Sequence, residues 1–155
     1  MKPPPIVIAH RGASGYLPEH TLAAKALAHG LGADYLEQDV VATRDSQLVV
    51  LHDLYLDDVT DVAQKFSGRH RQDGRHYVID FDLAELETLT VFERRAPGTA
   101  NAKYPARFPA DTALFRIATL PQELELIRGL NRSTGRTAGI YSEIKDPEWH
   151  RRHGV

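Results

Sequence analysis

Two histidines close apolar runs in this 155-residue chain: His10 follows Ile6-Val7-Ile8-Ala9, and His52 follows Leu48-Val49-Val50-Leu51. Two other apolar stretches carry charged residues two positions apart: Glu37 with Asp39, and Glu143 with Lys145. Side chains alternate along a strand, so each such pair shares a face. Three carboxylates brought to one place repel one another and call for a cation. An all-oxygen ligand set favours Ca²⁺ or Mg²⁺ over Zn²⁺. A cation there would hold a phosphate oxygen and stabilise charge that builds up in a transition state. Two imidazoles at different strand ends fit paired acid–base work, one taking a proton from the attacking group and the other giving one to a leaving alcohol. Arg11 offers a planar fork for a phosphate, and Lys145 adds a point charge.

Each group also has an ordinary reading. Glu37 and Asp39 could lie on the solvent face of an edge strand. His52-Asp53 resembles many strand-end turns, and Glu143 with Lys145 could be a surface pair worth under ~1 kcal/mol. His20, His29, His70, His76, His150 and His153 are read as structural or solvent-exposed. What favours an active site is the joint pattern: four strands, each ending in polar groups on one face, where a barrel interior is otherwise filled by Val, Ile and Leu.

The elements that would carry these residues follow from periodicity and punctuation. Residues 6–10 read as a short buried strand. Gly12, Gly15 and Pro18 mark a loop, and Thr21 is an N-cap for a helix over 22–28 that ends at Gly30 or Gly32. Residues 34–41 alternate as a second strand. Thr43–Gln47 is a turn. Residues 48–53 read as a third strand, apolar on both faces as parallel strands covered by helices are. From about 55 to 118 the pattern breaks into Gly, Pro, Arg and Asp, with one helix candidate near 82–89. This stretch is too long for a simple connection and reads as an insertion with its own small structure. A helix over 121–131, with Thr119 at its cap and Leu124, Ile127 and Leu130 on its apolar face, leads to a fourth strand over 137–145. Strand, helix, strand, strand, insertion, helix, strand is the opening of an α/β barrel. A doubly wound sheet is the alternative. The first strand lacks a G-x-G-x-x-G, which argues against a dinucleotide site.

Composition narrows the rest. The chain is 42% hydrophobic and 26% charged, as globular domains are, with a net charge of −2 that gives no electrostatic case for nucleic acid. It has no cysteine, which excludes disulfides, zinc–thiolate sites and a thiol nucleophile. No apolar run approaches the ~20 residues of a membrane span. Met1–Pro5 lacks the apolar segment of a signal peptide, so the expectation is a cytoplasmic protein, or a periplasmic one whose leader was removed. Residues 148–155 show neither a helix cap nor a finishing strand, as at a cut.

The stretch His10-Arg11-Gly12-Ala13-Ser14-Gly15-Tyr16-Leu17-Pro18-Glu19-His20-Thr21 resembles the opening motif of glycerophosphodiester phosphodiesterases. Tyr35-Leu36-Glu37-Gln38-Asp39-Val40, Leu48-Val49-Val50-Leu51-His52-Asp53 and Tyr141-Ser142-Glu143-Ile144-Lys145 match that family's later motifs in order. Many family members carry Asn where His20 stands; Pro-Glu-His-Thr is similar to the periplasmic bacterial branch. The resemblance implies the N-terminal part of a TIM-type (β/α)8 barrel that hydrolyses glycerophosphodiesters to an alcohol and sn-glycerol 3-phosphate. It implies His10 and His52 as the acid–base pair, and Glu37, Asp39 and Glu143 as ligands of a divalent cation, Ca²⁺ in that branch. Arg11 would bind phosphate with Lys145 beside it, and Glu19 would orient the first motif. Direct attack by water and closure of a cyclic phosphate by the glycerol 2-hydroxyl both stay open. A full barrel has eight strands, so the C-terminal half is absent from this sequence. The open edges of a half barrel then invite self-association. Two other functions compete: a non-catalytic binding protein that keeps the fold, and a phospholipase D-like lipid phosphodiesterase. The insertion and Pro18-Glu19-His20-Thr21 count against the latter.

Overall fold

The computed structural model describes residues 3–112 and 114–155. Met1 and Lys2 of the Pro-rich start, and Ala113 within the 55–118 stretch, lie outside the described residues. Strand β1 spans Ile8–Ala9, helix α1 Leu22–Gly30, strand β2 Tyr35–Ala42 and strand β3 Leu48–Val50. Then come short helices α2 (Val62–Lys65) and α3 (Leu83–Leu86), separated by a 3₁₀ turn at Val78–Asp80. Helix α4 (Leu120–Thr134), strand β4 (Gly139–Ile144) and helix α5 (Pro147–Arg152) follow.

Strand β2 is the axis of the sheet. It pairs parallel with β1 through Ile8–Tyr35 and Ala9–Leu36, and parallel with β4 from Tyr35–Gly139 to Val40–Ile144. Its last residues, Val40–Ala42, pair antiparallel with β3. This corrects the parallel reading of residues 48–53. The link from β2 to β3 is a tight turn in which Thr43 N donates to Gln47 O at 2.9 Å and Ser46 sits at φ 58°. So short a link cannot carry a parallel crossover, which needs a dozen or more residues. The barrel-type strands are therefore β1, β2 and β4, and β3 begins an arm folded back along β2.

The first strand is also shorter and more open than expected. Ile6, Val7 and Ile8 are exposed, with β1 paired to β2 on one edge only, while Ala9 packs against the core under the helices. At the other end, Asp146 caps α5, its Oδ1 accepting from Trp149 N at 3.0 Å, where the sequence showed no finishing element.

Both long helices start as their sequences direct. Thr21 Oγ1 accepts from Ala24 N at 3.2 Å to open α1. Thr119 and Gln122 form a reciprocal capping box on α4, which stops at Gly135 in the left-handed region. The helices pack on one face of the sheet, where Ala13, Ala28, Ala33, Leu36 and Ile127 make a small core. A second, larger core sits in the arm. Leu56, Val59, Val62, Val78, Phe81, Leu86, Leu89 and Val91 close around Val41, Val49 and Leu51. The 55–118 stretch thus owns a hydrophobic centre that is anchored on the β2–β3 hairpin.

An ion pair is buried between the helices. Lys25 and Glu123 are both fully enclosed, with Nζ 2.7 Å from Oε1, and Lys25 also donates to the carbonyl of Glu37. Removing one partner leaves a lone charge in the core, which costs about 3–5 kcal/mol. Lys25→Met is expected to lose about that much in a denaturant titration. The double variant Lys25→Met/Glu123→Leu is expected to recover most of the loss. Equal stability of the two variants would contradict this account.

Candidate active site

The site lies where the loop after β1, the middle of β2 and the arm meet. Strand alternation sends Leu36 toward the helices and Glu37 and Asp39 the other way; both carboxylates are buried. Asp39 is 0% exposed and its charge is matched from several sides. His20 Nε2 lies 2.7 Å from Oδ2, Arg11 Nε 3.7 Å from the same oxygen, and Lys145 Nζ 3.1 Å from Oδ1. Burial alone would raise the Asp39 carboxyl. The hydrogen bonds from His20 and Lys145 prevail and hold it well below the usual carboxylate range. Burial pushes His20 down to about 4, so at neutral pH it is an uncharged imidazole donating to a carboxylate.

The loop from His10 to Thr21 is held in an unusual backbone shape. Arg11 lies at φ 62° and His20 at φ 60°, both in the left-handed region, each at a cost of about 1–3 kcal/mol. The conformation is fixed at both ends. Arg11 N donates to Glu37 Oε2 at 2.6 Å, and His20 N donates to Arg11 O at 3.0 Å. Gly12, at φ 80°, packs so closely that an added Cβ would come within 3.0 Å of the Ala24 carbonyl carbon. That fit explains why the motif has Gly there.

His10 projects beside Glu37, with Nε2 3.9 Å from Oε1 and a side chain 70% exposed. His52 reaches the same place from the arm. Past β3 the chain still follows β2, Leu51 N donating to Asp39 O at 3.0 Å, and the next residue is His52. Its Nδ1 lies 2.7 Å from Asp53 Oδ1. Burial tends to raise the Asp53 carboxyl, but the His52 and Arg94 contacts bring it down to about 2. Both histidines line one cavity of about 230 Å³, shared with Arg11, Ser14, Glu19, Tyr55, Lys103 and Arg107.

Among the described residues, His20, Glu37 and Asp39 form a group whose donor atoms lie within 4.8 Å of one another. Glu37 Oε1 lies 3.9 Å from His10 Nε2, and the buried Asp39 Oδ1 lies 3.1 Å from Lys145 Nζ. These two oxygens suit a hard cation. Glu143, read from sequence as the third ligand, is not in that group: its carboxylate is 55% exposed and 2.8 Å from Lys145 Nζ. The Lys145 ammonium sits between Asp39 and Glu143 and bridges them. Glu19 accepts from Arg11 Nη1 at 3.1 Å, a contact within the first motif.

Sequence reasoning missed two residues. His20 was set aside as structural or exposed, yet it is buried against Asp39. Arg94, lost in the irregular Glu93-Arg94-Arg95 run, is buried beside Glu19 and Asp53. The signal for His20 was its place in the first motif; for Arg94 there was none, since no periodicity surrounds it.

Comparison with known proteins gives the family. A family model described as glycerophosphoryl diester phosphodiesterase matches residues 10–155. The chain belongs to that family. It is 54% identical to the glycerophosphodiester phosphodiesterase of Haemophilus influenzae over 99% of this chain and 43% of that one. A solved structure from Silicibacter pomeroyi, 28% identical, matches with a TM-score of 0.72 over 97% of this chain and 50% of its own. An Oleispira antarctica phosphodiesterase, solved with the product sn-glycerol-3-phosphate, is 30% identical with a TM-score of 0.62 and covers 91% of this chain and 44% of its own. The chain thus spans half or less of the length of these relatives. The parallel strands β1, β2 and β4 with their intervening helices form part of a TIM-type barrel. Among the described residues, no helix is long and apolar enough to cross a membrane.

Glu93, next to Arg94, yields a test of the site's packing. It is buried, with Oε2 lacking a hydrogen bond. Burial drives its carboxyl up from 4.5 to about 7; Arg107 opposes this and Glu19 adds to it. Because the folded-state value is the higher one, the neutral Glu93 carboxyl costs no stability below about pH 4.5, and its ionisation lowers stability progressively as pH rises from there through 7. Glu93→Gln is expected to flatten that fall and to raise stability at pH 8 by about 1–3 kcal/mol, read from thermal unfolding across pH. A parallel decline in both proteins would refute it.

Proposed function

We propose that the chain carries the catalytic groups of a metal-dependent phosphodiesterase that cleaves glycerophosphodiesters to an alcohol and sn-glycerol 3-phosphate. The observation that carries this reading is the placement of His10 and His52 on one cavity, together with the buried Glu37 and Asp39 carboxylates grouped with His20 within reach of one ion. Family membership and the product bound by the Oleispira relative support the substrate class.

Glu37 and Asp39, with Glu143 turning from Lys145 to join them, would hold a divalent cation, Ca²⁺ in this reading. His20 donates to Asp39 Oδ2 and fixes how that carboxylate points. The bound cation would supply positive charge against a phosphate oxygen as negative charge builds there. The remaining steps belong to the chain's own side chains. Arg11 is oriented by Glu19 and by its own amide bond to Glu37, so its guanidinium faces the cavity where the phosphate binds. Lys145 adds a second cationic contact. His52 donates Nδ1–H to Asp53, which leaves Nε2 as the nitrogen that exchanges a proton with the substrate. His10, on the other side of the phosphorus, does the converse. One imidazole takes the proton of the attacking hydroxyl while the other protonates the departing alkoxide.

Purified chain is expected to release sn-glycerol 3-phosphate from glycerophosphocholine in the presence of Ca²⁺, followed with a coupled dehydrogenase assay. His10→Ala and His52→Ala are each expected to lower kcat by about 10²–10⁴-fold. Calorimetry is expected to show Ca²⁺ binding that Asp39→Asn removes. Neither cation binding nor product release from the folded chain would favour a non-catalytic binding protein instead.

A further inference from the structure

We propose that Arg94 is a positioning residue: it clamps the His52–Asp53 pair of the arm to the Glu19–Arg11 loop of the sheet. The proposal rests on the function argued above only for the role of His52.

The two histidines are carried by different parts of the fold. His10 belongs to the loop after β1, His52 to the arm whose core is separate from that under the helices. A proton pair works only when the two nitrogens keep a fixed separation, so something must tie these parts together near the cavity. Arg94 does so in one side chain. Nε and Nη2 donate to Glu19 Oε2 and Oε1 at 3.1 and 2.6 Å, a bidentate grip on the loop. Nη1 donates to Asp53 Oδ2 at 2.6 Å. The other oxygen of Asp53 lies 2.7 Å from His52 Nδ1, and Glu19 also accepts from Arg11. An unbroken line of charge-assisted bonds therefore runs Arg11, Glu19, Arg94, Asp53, His52.

The fork geometry is what makes the residue suitable. Two carboxylates approach from different directions, and a planar guanidinium meets both at once, which a single ammonium cannot do. Burial of the guanidinium makes these bonds strong and keeps water from competing. Arg94 is in turn fixed by its own loop, its carbonyl accepting from Lys103 N at 2.8 Å. Arg94 has a second effect on His52. It shares the negative charge of Asp53, which would otherwise act on the imidazole alone. Without it, the unshared carboxylate favours the imidazolium. His10, Arg11, Tyr55, Asp58, Lys103 and Arg107 line the same cavity and are unchanged in the variants below, so a shift reports this one exchange.

The test is an NMR titration of the His52 imidazole, assigned with His52→Gln, in the metal-free chain. Arg94→Gln is expected to raise the His52 midpoint by about one pH unit, and Arg94→Lys by roughly half of that. Arg95→Gln, in the same loop but contacting Phe92 and the Ala110 carbonyl, is expected to leave it in place. In an Asp53→Asn background, Arg94→Gln is expected to have less than half its effect, because the influence passes through Asp53. An unchanged midpoint in folded Arg94→Gln, or an equal shift in Arg95→Gln, overturns the proposal. If Arg94→Gln does not fold, an unchanged midpoint in Arg94→Lys overturns it alone. In turnover assays, Arg94→Lys is expected to lower kcat about ten-fold or more with KM within about two-fold. Absence of turnover in the unsubstituted chain counts against the proposed function only, since the titration needs no activity.

Discussion

The structure is built around one buried negative charge. Asp39 sits in the middle of the strand that all the other strands pair with, and no solvent reaches it. An uncompensated ion in such a place costs several kcal/mol, comparable to the whole stability of a small domain. Each neighbouring element accordingly sends a donor or a cation: the first loop contributes His20 and Arg11, and the chain just past β4 contributes Lys145. The site is thus a consequence of strand parity. The alternation that puts Leu36 into the core under α1 and α4 turns Glu37 and Asp39 outward, onto the face where the histidines arrive.

The compensation also explains the strained loop. Arg11 and His20 hold left-handed backbone that neither side chain favours. The Arg11 amide reaches Glu37 and the His20 ring reaches Asp39 only from this shape. Charge-assisted bonds to buried carboxylates are worth about 1.5–3 kcal/mol each, enough to offset the backbone cost. His is nonetheless among the residues that tolerate φ near +60° better than most.

Much of this could be read in the sequence, and the exceptions have physical causes. The helices were legible because Thr21 and Thr119 sit at caps and the apolar residues recur at helical spacing. The charged pairs of β2 and β4 were legible from alternation. The direction of β3 was misread because an apolar run looks the same in either sense; the five-residue turn before it held the information. Buried β1 was expected from its Ile and Val, but burial depends on what packs against a strand, and composition does not contain that. His20 and Arg94 escaped for a related reason. A left-handed loop and a non-periodic arm bring together residues 75 positions apart, as Glu19 and Arg94 show, and no local pattern marks such a meeting.

The site and the core differ in what completes them. The polar contacts around Asp39, Glu37 and Asp53 close on residues of this chain, through bonds of ordinary length between the loop, β2 and the arm. The apolar residues of the flanking strands do not close in the same way: Ile140 and Ile144 of β4, on the Leu36 face, stay open to solvent, as do Tyr141 of β4 and Ile8 of β1 on the Glu37 face. Tyr141 and Glu143 stand opposite Glu37 and Asp39 in the β2–β4 register and are themselves exposed. The geometry of the site is therefore set by directional, charge-assisted bonds and not by hydrophobic enclosure. Such bonds fix angles as well as distances. That is why a few buried ions can tie His52 to the loop after β1 across parts of the fold whose hydrophobic cores are separate.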